Sequence, residues 1–287
     1  MAQIREIKRR IKSITNTSKV THAMELISAA KMRKAQEQAL SSRPYTITLN
    51  EVLAEIRAKT QSNVQNPLLE AKEAQSQLLV LLTTDRGFVG GLNINVFREI
   101  SKLSRQSFKY VVVGKKGTNF ASKSGQDLIA SFQSEQMSPL ELARVICKIA
   151  IDSYIKSEVS AVKLVYSNFK STVKQIPTIK QILPIEFTME QNEETKEAIS
   201  TPDEPLFEPS AAKILENVLP HYILTEVYQA ILESKASEHS ARMVAMKNAT
   251  DAAGDLVDDL TLTYNQARQE AITKELLDIV TAQSAFQ

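Results

Sequence analysis

Near the start of the chain the apolar positions keep a helical beat. Ile4, Ile7, Ile11 and Ile14 are spaced three, four and three apart, the seam of a coiled coil. Ser18 and Thr21 then stand where the next seam residues belong, and the apolar face resumes at Val20, Met24 and Ile27. This pattern predicts a slip in phase and a locally unwound supercoil. Pro44 predicts a kink or break before a further helical stretch over 50–59.

A second helical pattern occupies the other end. Ile223, Leu224, Val227, Tyr228, Ile231 and Leu232 form a broad apolar face suited to seating a helix on a base. Ala241, Ala245, Ala249 and Ala252 recur at three- and four-residue intervals, which lets two backbones approach closely. Ile272, Leu276, Leu277, Ile279, Val280 and Phe286 wrap more than one side, so this tip is expected to be covered by something other than the first helix, which is too short to reach it.

Between these patterns, 77–83, 110–113 and 128–132 read as strands, separated by helical segments near 95–104 and 118–123. An amphipathic helix over 139–156 and closing strands over 161–168 and 173–182 follow. The alternation predicts an α/β domain whose sheet is mostly parallel, with helices on its faces. Acids and Pro202, Pro205 and Pro209 mark 186–209 as a surface loop.

Proline and glycine sharpen the division. Neither occurs from 1 to 43, and from 221 to 287 there is only Gly254. At about 1.5 Å per residue the second stretch predicts a helix of roughly 100 Å, which cannot bury itself. The opposite terminus is its natural antiparallel partner. The expected fold is mixed α+β: a long antiparallel α-helical coiled coil formed by both termini, plus a central Rossmann-like α/β domain. The divisions are 1–60 for the first helix, 75–185 for the α/β domain, 186–209 for the loop and 210–287 for the last helix.

Charge supports the pairing. The net charge is +2, but 1–43 carries ten Lys or Arg against three Glu, or +7, while 221–287 carries five against ten acids, or −5. Opposite signs favour this pair over self-pairing of either helix. A hydrophobic content of 43% excludes a disordered chain, and the absence of tryptophan favours aliphatic and alanine contacts.

Other chemistries find little support. No apolar run approaches the roughly 18 residues needed to cross a bilayer, and charged residues stand where a signal peptide needs its apolar region, so the chain is expected in the cytoplasm or on a membrane's inner face. Cys147 is the only cysteine and is expected to pack inward; His22, His221 and His239 are scattered, and no metal is expected. Neither 85–91 nor 114–118 has the spacing of a dinucleotide fingerprint or a phosphate loop, so the glycines read as turn formers. Thr84, Asp85 and Arg86 suit a turn and docking surface better than a catalytic cluster. Arg5, Lys8, Arg9, Arg10 and Lys12 crowd three turns, but no aromatic precedes Tyr45, which favours an acidic protein partner over nucleic acid.

Three passages carry a resemblance: 4–36, beginning IREIKRRIKSITNTSKV; 84–98, TDRGFVGGLNINVFR; and 237–280, which includes NQARQEAIT. Together they closely resemble the gamma subunit of F-type ATP synthases, and the resemblance covers nearly all 287 residues. It implies a non-catalytic rotor shaft with no cofactor of its own, entering a ring of three alpha and three beta subunits. It further implies contacts with an epsilon subunit and a membrane ring of c subunits, coupling of ion flow to ATP synthesis or hydrolysis, regulation of the ATPase, and a peripheral place on the cytoplasmic face of a bacterial plasma membrane. By the same resemblance, Arg268, Gln269, Thr273 and Glu275 are expected to contact a beta subunit, as are Lys19 and Met24, while Leu206, Phe207 and Glu208 are expected near the c ring and epsilon. The chain departs from the family at His22 and Gln266, where lysine is common, and in the wording around PLFEP. A static coiled-coil scaffold or tether is the contrasting expectation.

Overall fold

The computed structural model describes residues 2–59, 66–103, 107–125, 127–185 and 211–285. It divides into two compact units, Met1–Ala30 with Arg242–Gln287, and Lys31–Ala241. Two long helices, α1 (Ala2–Lys59) and α5 (Ala211–Ala285), contribute segments to both.

The first unit is an antiparallel helix pair. On α1, Ile4, Ile7, Ile11, Ile14, Ser18, Thr21, Glu25 and Ser28 are buried or half-buried in an uninterrupted three-four alternation, with Thr15, Met24 and Ala29 half-buried beside them. Thr21 Oγ1 lies 2.8 Å from Thr250 Oγ1. Counted outward from that pair, Ser18 is level with Ala253, Ile14 with Val257, Ile11 with Leu260, Ile7 with Tyr264 and Ile4 with Ala267, and each of these α5 residues is at least half-buried. The expected slip in phase therefore does not occur. Small side chains let the helices approach, and while one threonine hydroxyl donates across the pair to the other, that other donates to its own helix carbonyl, Ser18 or Met246, so the seam stays in register while turning polar. Val20 and Ile27, 59% and 57% exposed, face outward instead. Among the alanines, Ala253 is buried whereas Ala252 is exposed.

The second unit is built on a sheet of β1 (Ser76–Leu82), β2 (Ser107–Val113), β3 (Asp127–Phe132), β4 (Val162–Phe169) and β5 (Gln175–Leu183), ordered β3-β2-β1-β4-β5. Only the β4–β5 pair is antiparallel. Central β1 is apolar on both faces, as a parallel strand covered on both sides must be. Leu78, Val80 and Leu82 meet Leu142, Ile146 and Tyr154 of α4 (Pro139–Ile155) and Leu219, Ile223 and Val227 of α5. Leu79 and Leu81 meet Val96 and Ile100 of α2 (Leu92–Lys102) and Ala121 of α3 (Lys115–Lys123).

Pro44 lies inside α1 without breaking it, contrary to expectation. The carbonyl it deprives of a donor is that of Leu40, a residue 50% exposed, where water can serve it. Contacts to α5 hold the helix on either side of the proline: Ser42 Oγ donates to Gln229, and Tyr45 OH lies 2.6 Å from His221 Nε2. The α5 face also carries two buried acids. Glu226 pairs with Lys180 at 2.6 Å, and Glu233 accepts from Gln229 at 3.0 Å with Arg43 at 3.6 Å.

Candidate functional site

On the helix pair, each residue advances about 100° around the axis, which sorts the expected contact residues into faces. The α5 seam runs through Val257, Leu260, Tyr264, Ala267 and Ala271. Gln269 and Thr273, four apart, lie on the side away from it, with Leu262, Leu276 and Val280 above and below, and a shallow groove lined by Gln266, Gln269, Glu270, Thr273, Lys274 and Leu277 follows this side. Arg268 and Glu275 lie on a flank with Ile272 and Ile279. All four expected contact residues are exposed, but they form two sets, not one cluster.

The α1 residues separate as well. Met24 is half-buried at the margin of the seam, and Val20 and Ile27, four before and three after it, are exposed beside it. Lys19 lies on the opposite flank with Leu26, itself 58% exposed. Val20 and Ile27, apolar yet exposed, lie outside the seam that their apolarity predicts and join the candidate contact residues. Leu206, Phe207 and Glu208, with the rest of 186–209, lie outside the described residues, as does Phe286.

The α5 helix outruns its partner. The first residue of α1, Ala2, is level with Gln269, so among the described residues the segment from Ala271 to Ala285 continues past α1 for roughly 22 Å. Its Ile272, Leu276, Leu277, Ile279 and Val280 are 47–61% exposed. The outward faces of the pair differ in charge: Arg5, Arg9 and Lys12 project from α1, and Asp251, Asp255, Asp258 and Asp259 from α5, all exposed and away from the seam.

In the second unit the strand ends resemble a nucleotide crevice in outline only. The Asp85 carboxylate accepts the backbone N–H of Lys115 at 3.2 Å and of Glu135 at 3.3 Å. It therefore caps α3 at the place where a phosphate would bind a helix N-terminus. Thr84 Oγ1 donates to the Arg86 carbonyl at 2.7 Å and accepts from Asn93 at 2.8 Å, while Arg86 pairs with Glu135 at 3.1 Å. Glycine is needed here for close packing. A β-carbon on Gly114, φ 97°, would stand 2.3 Å from the Thr83 carbonyl oxygen, and one on Gly117 would stand 2.6 Å from Thr83 Oγ1. The expected turn is what Thr84, Asp85 and Arg86 build.

Cys147 is buried on α4, its Sγ 3.8 Å from the Pro220 carbonyl, and burial pushes the thiol up to about 11, which suppresses the reactive thiolate. His22 Nδ1 lies 3.2 Å from Glu25 on the surface. No group of three His, Cys, Asp or Glu side chains that could hold a metal occurs among the described residues, and no helix among them is long and apolar enough to cross a membrane.

Comparison with known proteins gives a consistent set of likenesses. A family model described as ATP synthase matches residues 3–286. The chain is 42% identical over 293 residues to the ATP synthase gamma chain of Opitutus terrae, covering 99% of each. Among solved structures it is similar to a chain in the mitochondrial ATP synthase of Euglena gracilis with OSCP, F1 and c-ring, at a TM-score of 0.69 and 20% identity over 99% of this chain and 95% of that one. A chain from the rotor of the same synthase gives a TM-score of 0.64 at 19% identity, covering 94% of this chain and 99% of that one. The structural likenesses show a shared fold of helix pair and α/β domain.

Proposed function

The chain belongs to the ATP synthase gamma-chain family, and from that membership we propose that it is the central rotor shaft of an F-type ATP synthase, a non-catalytic subunit. One gamma chain serves three alpha and three beta subunits, which carry the nucleotide chemistry. The α/β domain meets epsilon and the c ring, whose ion-driven turning the shaft transmits, and the complex sits on the cytoplasmic face of a bacterial plasma membrane.

The observation that carries the reading is a helix pair satisfied along its seam but not around its outside. Its outward faces are basic, acidic and apolar in turn, and its longer member ends in exposed aliphatic side chains with no partner helix alongside among the described residues. Such a surface presents a different face to each of three equivalent neighbours. A contact shifts a subunit between open and closed forms only by binding the two unequally, and rotation changes which subunit receives that bias. On this reading Gln269 and Thr273 meet a beta subunit from one side of α5 and Arg268 and Glu275 from another, while Lys19 and the strip around Met24 serve different neighbours.

A reversible disulfide between Gln269→Cys and a cysteine placed in a beta subunit tests the proposal. A shaft loses multisite ATP turnover when locked and regains it on reduction; a static scaffold keeps full turnover in both states, and that result would refute rotation.

A further inference from the structure

In the second unit α1 keeps a three-four seam from Met32 to Ile56 that is apolar at both ends and polar in the middle. Met32, Ala35 and Ala39 are buried at one end, and Leu53 and Ile56 at the other with Leu49 half-buried beside them. Ser42 and Thr46 hold the seam positions between. On α5, Thr225, Gln229 and Glu233 follow one another at four-residue spacing and are only 7–8% exposed. An apolar layer would bury more hydrophobic surface and need no partners, so a polar one here serves something other than stability.

Gln229 uses both ends of its amide. Its Nε2 donates to the Ala39 carbonyl at 3.3 Å and to Glu233 Oε1 at 3.0 Å, while its Oε1 accepts from Ser42 Oγ. A carbonyl only accepts, so the amide nitrogen must face Ala39 and the amide oxygen is left for the Ser42 hydroxyl. Glu233 in turn has the Arg43 guanidinium at 3.6 Å and faces the Tyr166 hydroxyl of β4. The layer thus ties α1 to α5 and both to the sheet. It does so where α1 is weakest within itself, since Pro44 leaves the Leu40 carbonyl without its helical donor.

Aliphatic seams accept a shift of one heptad, but this layer does not. Sliding α1 by seven residues would bring Ala35 or Leu49 to the place of Ser42, leaving the Gln229 amide buried without the partner that α1 supplies. We propose that Ser42 and Gln229, with Glu233 orienting the amide, are positioning residues: a register lock that keeps α1 from sliding along α5 under torque. A single buried polar contact fixes the register of paired helices in this way, at a cost in stability. Both helices run on into the helix pair, so a slip at this layer would displace the outward faces of α1 along α5. The inference rests on the shaft reading, which supplies the torque.

The test uses the whole complex in inverted membrane vesicles. Ser42→Ala with Gln229→Met makes the layer apolar at nearly unchanged shape, so the thermal midpoint of the full chain is expected to stay within about 3 °C of the parent. Ion pumping per ATP hydrolysed is expected to fall about threefold, the weight of one hydrogen bond in a register equilibrium. Thr21→Cys and Thr250→Cys are then added, at positions whose hydroxyls lie 2.8 Å apart, while the native Cys147 is buried. Their disulfide fixes the register, so coupling should return on oxidation and be lost again on reduction. Full coupling in the apolar variant, a midpoint lowered beyond that range, or a loss that the disulfide does not repair would overturn the lock. The Gln269→Cys disulfide separates the two readings: if it stops turnover while the apolar layer couples fully, only the lock falls, and if turnover survives it, the shaft reading falls and takes the lock with it.

Discussion

Consider a chain that stops at Ala271, the last half-buried position on α5 among the residues whose burial is described. The deletion removes Ile272, Leu276, Leu277, Ile279 and Val280, whose exposures of 47, 58, 58, 61 and 60% show that they contribute little to holding the helix pair together. Full burial of such a side chain is worth about 1.5–3 kcal/mol, and roughly half of each remains to be covered, giving about 1 kcal/mol apiece and about 5 kcal/mol gross on complete burial by a partner. Ordering and desolvation costs leave a smaller surplus, on the order of 2–3 kcal/mol, or about 30- to 150-fold in an assembly constant. Circular dichroism of the isolated chain should show helix loss in proportion to the residues removed and an unfolding midpoint within about 2 °C of the full-length chain. Competition between full-length and truncated chains for the catalytic head should favour the full-length chain by the factor above, with weaker coupling in the truncated complex. Equal incorporation and unchanged coupling, or a large fall in the midpoint, would refute the argument that the tip is covered by a partner.

Asp85→Ala should destabilise the second unit by about 1–2 kcal/mol and speed amide exchange at Lys115 and Glu135 while leaving β1 protected, because the carboxylate accepts from both N–H groups; mass-spectrometric exchange reads it. Tyr154 is fully buried and its hydroxyl donates to the Glu70 carbonyl at 2.6 Å; burial, with Glu70 adding to it, pushes the phenol from 10.0 up to about 12. The folded state therefore holds the proton more tightly, so this stability is complete below pH 10 and is lost as pH rises through 12, by at most roughly 3 kcal/mol. Tyr154→Phe should flatten the fall in urea midpoint between pH 9 and 11.5, although Tyr166 and Tyr222, also raised chiefly by burial, keep part of it. Gly254→Ala should raise stability of the helix pair by about 0.5–1 kcal/mol in thermal unfolding, since the new β-carbon meets nothing within 4 Å.

The sheet was legible because its physics is local. LLVLL is a continuous apolar run and becomes a strand buried on both faces, and Ser138-Pro139 with Glu141 marks the start of α4 through a reciprocal capping box. The first half of the helix seam was legible for the same reason, since isoleucines at 3-4-3 spacing declare it. Its second half was not, because burial there follows from pairing geometry: Ser18 and Thr21 are seam residues although polar, while Val20 and Ile27 are outward although apolar. A one-residue error turns a side chain by about 100°, which is why Ala253 and not Ala252 is buried. For the contact residues, resemblance supplied positions without directions; only the helix faces reveal that Lys19 and Met24 point different ways.

This division between seam and surface has a consequence for how a shaft works. Had Val20, Met24 and Ile27 formed the seam, the apolar surface of α1 would have been consumed in pairing, leaving a uniformly solvated rod with little to distinguish one orientation from another. Placing small polar residues at Ser18, Thr21 and Ser28 keeps the pair in register and leaves the larger apolar groups for partners. On the proposed reading, a threefold ring around this pair would meet an apolar strip from one side, the lysine and leucine flank from a second, and the acidic back of α5 from a third. Only such unequal contacts differentiate identical subunits, because an equal affinity for two conformations shifts neither. Moving the apolar strip by one helical position, with Val20→Ser and Lys19→Val together, should therefore alter coupling while preserving the seam and the midpoint of thermal unfolding. Unchanged coupling in that variant would show that the strip takes no part in setting the states of its neighbours.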